Sequence, residues 1–102
     1  MDSFGAIDAV LLPWAQTRGL HVYKGHVQNP VRSVTMYVWI GARHESTGHL
    51  WLDAPSDLGL VGLHAAYRHF RMDEAVPPGD LDAALEKAEN ALMAQKLRDM
   101  AE

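Results

Sequence analysis

The chain has 102 residues, 48% hydrophobic and 22% charged, with a formal net charge of −4. That usage excludes a disordered or fibrous chain, and the length fits one domain, residues 1–102, with a core that needs no covalent staples. With no cysteine there is neither a disulfide framework nor a thiolate metal site, which fits a reducing, cytoplasmic setting.

In chain order, "SFGAIDAVLLPWAQTRG" predicts a first helix. Ser3 is the expected N-cap, Phe4, Ile7, Leu11 and Trp14 recur at helical spacing, and Arg18-Gly19 make a stop. Pro13 should kink that helix or begin a second turn, because it removes a hydrogen bond and crowds the turn before it. The run "AVLL" is too short for a signal peptide or a membrane span.

"LHVYKGHV" alternates as a strand does, and Asn29-Pro30 should turn the chain. "VRSVTMYVWIG" is a second strand, with Val34, Met36, Val38 and Ile40 on one face and Ser33, Thr35, Tyr37 and Trp39 on the other. "HLWLD" is a third, with Leu50 and Leu52 inward and His49, Trp51 and Asp53 opposite. "GLVGLHAAYRHFR" fits both periods. Its glycines, Gly59 and Gly62, would each cost a helix about 1 kcal/mol, so a fourth strand is expected, with "GLVG" marking a bulge or close packing.

The last stretch, "VPPGDLDAALEKAENALMAQKLRDM", predicts a closing helix capped by Asp80, with an apolar stripe of Leu81, Leu85, Ala88 and Leu92. The expected class is therefore α+β: a four-stranded antiparallel sheet in α-β-β-β-β-α order, with both helices packed on one face.

One segment invites a metal reading. His44-Glu45 is followed by His49, one residue longer than the H-E-x-x-H of zinc peptidases. Five positions apart, the histidines would diverge by about 140° around a helix, too far to share one zinc. The surroundings are β-rich, so "ARHESTG" is expected to be a polar hairpin loop, and no metal or other cofactor is expected. Of the six histidines, five fall on or beside expected strands without an i, i+2 or i, i+4 pair. No nucleophile motif and no phosphate-binding glycine loop is present, so no catalytic residue is assigned and the chain reads as a non-enzyme.

Two surfaces suggest binding instead. Tyr37, Trp39 and Trp51 should share the sheet face that the helices leave open, and large aromatics exposed together mark interaction sites. Asp82, Glu86 and Glu89 form a carboxylate row on the closing helix, suited to steering a basic partner. Charge is polarised along the chain. Residues 18–72 hold six basic groups against three acidic ones (+3), and residues 73–102 hold three basic against eight acidic (−5). An acidic whole speaks against direct nucleic-acid binding and for a basic protein partner.

In size, acidity, lack of cysteine and lack of any catalytic motif, the chain resembles the small immunity proteins that neutralise bacterial polymorphic or contact-dependent toxins. The resemblance is one of class and transfers no site residues. It implies a stoichiometric inhibitor of a cognate toxin domain, often a basic nuclease. The alternatives are a homodimer or adaptor that buries the aromatic face, and a histidine-based metal-dependent hydrolase.

Overall fold

The computed structural model describes residues 4–25, 31–40 and 42–101, without the side chains of Val38, Trp39, Ile40 and His44. The elements are α1 (Gly5–Thr17), β1 (Val22–Lys24), β2 (Val31–Ile40), β3 (Arg43–Asp53), β4 (Val61–Tyr67), β5 (Phe70–Val76) and α2 (Leu81–Ala101). The strands form one antiparallel sheet in the order β1-β2-β3-β4-β5. The class is the expected α+β, but among the described residues the sheet has five strands, not four.

The additional strand is β5, "FRMDEAV", which the sequence conceals for a physical reason. It is joined to β4 by a turn at Arg68-His69, where Arg68 takes a φ of 53°. Glycine and asparagine usually occupy that left-handed region, and arginine there gives no turn signal. Phe70, Met72 and Val76 of β5 pack against the core from one face, while Arg71, Asp73 and Ala75 are exposed on the other.

Residue alternation fixes which sheet face is covered. Val34 and Met36 of β2, Leu50 and Leu52 of β3, and Val61, Leu63 and Ala65 of β4 are buried in one cluster with α1 and α2. From α1 come Ile7, Leu11 and Trp14, with Phe4 just before it; from α2 come Leu81, Leu85, Ala88 and Leu92, as the stripe predicts. Each fully buried leucine contributes roughly 2 kcal/mol of transfer free energy. Both helices therefore lie on one face.

Helix α1 runs through Pro13 without interruption. Pro13 and Ala9 are both exposed, so the Ala9 carbonyl that loses its helical donor can be met by water. The helix is tied to the sheet by Arg32, which is 8% exposed and holds Asp8 through two hydrogen bonds of 2.9 and 3.1 Å. Its guanidinium also lies 4.1 Å from the centre of the Phe4 ring. Asp80, the expected cap, belongs to a short 3-10 turn, Pro78–Asp80, that leads straight into α2. The Ser3 cap and the Asn29-Pro30 turn fall outside the described residues.

The segment read as a loop is strand. β3 starts at Arg43 and includes His44 through Gly48, and its pairing with β2 reaches Ile40↔Arg43. Between Met36↔Gly48 and Tyr37↔Ser46 the register shifts by one, leaving Thr47 as the extra residue of a bulge. Gly48 makes this possible. Its φ is 124°, and a Cβ there would stand 2.3 Å from the Ala66 carbonyl oxygen, inside the backbone of β4. Beyond the bulge, β2 and β3 pair with each other, while among the described residues β1 pairs with 32–34 and β4 with 49–52. The hairpin end is thus a two-stranded arm. The bulge also turns Glu45 to the helical side, where its carboxylate lies 3.6 Å from the ammonium of Lys96, a lysine only 8% exposed.

Candidate functional site on the open sheet face

The face away from the helices carries one lateral row crossing all five strands: Tyr23, Ser33, Trp51, His64 and Asp73 are successive cross-strand partners. Side chains opposite one another on neighbouring strands stand close enough to interact, so this row is the natural unit of the surface.

Its centre is His64. The imidazole Nδ1 is 2.6 Å from an Asp73 oxygen and Nε2 is 2.8 Å from an Asp53 oxygen. Both ring nitrogens therefore face carboxylates, an arrangement that fits the imidazolium, which donates from both. Partial burial is the largest single influence on His64 and pulls its pKa down. The hydrogen bonds to Asp73 and Asp53, with the charges of both, together outweigh it and hold the pKa above the ordinary histidine value. Asp73 is held below the usual carboxylate range, first by its hydrogen bonds from Arg71 and then by His64.

Around this group the surface is aromatic and cationic. The Trp51 indole lies nearly parallel to the His64 ring, at 18° and 5.2 Å between centres, and the Arg71 guanidinium is 5.4 Å from the indole centre. Gly62 provides space for the arrangement. A Cβ at that position would come within 2.9 Å of the Asp53 carboxylate and 3.2 Å of His64 Nε2. The "GLVG" glycine thus marks close packing within a regular strand. One row further along, Thr35 Oγ1 and His49 Nδ1 are 3.2 Å apart, and at the sheet edge the rings of His21 and Tyr23 meet edge to face at 4.4 Å.

The residues expected to bind are placed as follows. Tyr37 is 43% exposed and lies with Trp51 on the open side, whereas the side chain of Trp39 is outside the described residues. Their backbone positions are spread along the sheet. Trp51 pairs with Ser33, whereas Tyr37 and Trp39 lie four and six residues further along β2, about 13 and 20 Å away at 3.3 Å per residue. On α2, Asp82 and Glu86 are exposed, but Glu89 is bound to Arg18 by bonds of 2.6 and 3.1 Å. Arg18 is pushed above its ordinary pKa, first by that bond and further by the charges of Glu86 and Asp82. The acidic row is thus partly compensated by an internal cation.

His44 and His49 lie on the same strand, and the side chain of His44 is outside the description. Among the described residues no group of three or more histidine, aspartate or glutamate side chains is arranged to hold a metal ion. No described helix is long and apolar enough to cross a membrane. Sequence reasoning missed Asp53, His64, Arg71 and Asp73 as a unit. A turn centred on Arg68-His69 places His64 opposite Asp73 by counting alone, so the missing signal was the turn.

Comparisons with protein-family models, curated proteins and solved structures gave no match to this chain.

Proposed function

We propose that this chain is a non-enzymatic protein-binding module that works through the open face of its sheet. The observation that carries the reading is Trp51. It stands mid-row on a sheet face that no described element covers, with its ring already fixed by His64 and Arg71. Tryptophan and arginine are the side chains most often found to dominate binding energy, and a ring fixed in advance loses less entropy on contact. Tyr23 and Tyr37, both more than a third exposed, extend the same face.

In its finer form the proposal is an immunity protein that occupies a cognate bacterial toxin domain. The small size, the net charge of −4 and the absence of cysteine support that reading, and exposed Asp82 and Glu86 supply steering for a basic partner. The acidic pair lies on the helical side, away from Trp51, so its role is in the rate of encounter.

The test is co-expression with the product of the adjacent gene. The proposal expects growth arrest by that product, relief by this chain, and loss of relief with Trp51→Ala combined with Arg71→Ala. An innocuous neighbour, or protection that survives the double substitution in a folded protein, would sink the corresponding level of the reading.

A further inference from the structure

We propose that His64 is a proton-operated clamp: as an imidazolium it holds Asp53 on β3 and Asp73 on β5 from the middle strand β4, and so fixes the Trp51–Arg71 surface. The contacts that define it join three strands through one ring, at 2.6 and 2.8 Å. An imidazole can satisfy two carboxylates only when both nitrogens carry protons. When the ring gives one proton to water, one carboxylate faces a lone pair instead of a donor, and that side of the clamp opens.

Around His64 on this face stand Asp53, Trp51 and His49 of β3 and Asp73 and Arg71 of β5, with Gly62 and Ala66 beside it on β4. The two carboxylates are unequal. Asp73 also accepts two bonds from Arg71, at 3.1 and 3.2 Å, whereas Asp53 has His64 as its partner on this face. Trp51 is coupled directly, because its indole lies against the ring whose charge changes, and a cation against an aromatic face is an attraction lost on neutralisation. Arg71 is coupled through Asp73. Deprotonation therefore changes both the charge and the packing of the same few side chains.

The clamp is independent of what the face binds, since both readouts are taken on the free 102-residue chain. An NMR titration follows the His64 Cε1–H signal in ¹H–¹³C spectra, assigned against His64→Gln, and the Trp51 indole N–H in ¹H–¹⁵N spectra, assigned against Trp51→Phe. The clamp requires the Trp51 signal to move with the His64 midpoint. It also requires Asp53→Asn to lower both midpoints together. Gly62→Ala, which keeps every charge but pushes a methyl group into the Asp53–His64 contact, should lower them in the same way. An indole signal that is flat across the His64 titration overturns the clamp, as does a His64 midpoint unmoved by both substitutions.

Discussion

On the covered face of the sheet, Leu50, Leu52, Val61, Leu63 and Ala65 are shut off from water against two helices. On the other face the same strands, one residue out of phase, present Trp51, Asp53 and His64, which join Arg71 and Asp73 of β5 in a set of directed polar and ring contacts. The first surface owes its stability to apolar area, which is non-directional and indifferent to pH. The second depends on protonation state and on angles. One sheet thus separates what keeps the chain folded from what its exposed face can do, and substitutions on the two faces should report differently.

The largest effect is expected from the covered side. Leu63→Ala empties a fully buried position between the sheet and α2, and should cost about 3 kcal/mol in urea unfolding. A loss below about 1 kcal/mol would mean that the covered face is not the seat of stability.

An intermediate effect should come from pH, and from the open side alone. Because the folded pKa of His64 lies above its unfolded value, the stabilisation it gives is complete below about pH 6.5 and is lost as pH rises through the folded value. Asp73 acts in the opposite sense: its contribution is present above the ordinary carboxylate range and is lost as pH falls through its depressed pKa. Unfolding midpoints should therefore peak between these limits and decline on the alkaline side. That decline should be reduced in His64→Gln and kept in Leu63→Ala.

The smallest effect on folding should come from Trp51→Ala, within about 1 kcal/mol, because the residue loses cross-strand and ring contacts without opening a cavity in the core. A loss approaching that of Leu63→Ala would erase the distinction between the faces.

Much of the covered face could be read from the sequence. The stripe of Leu81, Leu85, Ala88 and Leu92, and the alternation of Val34, Met36, Leu50 and Leu52, are periodic signals set by burial, and they hold in the structure. The open face was less legible because its contacts depend on register, and register is set by turns and bulges. The turn at Arg68-His69 uses residues that seldom make turns, so β5 and Asp73 were missed. The bulge at Thr47 converts an apparent loop into strand. Alternation puts Tyr37 and Trp51 on the open face, as the structure has them, but groups Trp51 with Tyr37 rather than with His64, its actual neighbour.

The extra residue at Thr47 has a consequence for how this protein can vary. A bulge acts as a frame-shift in facing: every position from Ser46 back to Arg43 has swapped sides relative to the rest of β3. Deleting Thr47 would leave a regular pair in which Ser46 keeps the open side and Glu45 keeps the helical side beside Lys96. The bulge is therefore the one place in the described arm where a residue can be lost without re-addressing its neighbours, whereas a deletion within the regular pairing of residues 49–53 would flip every position beyond it.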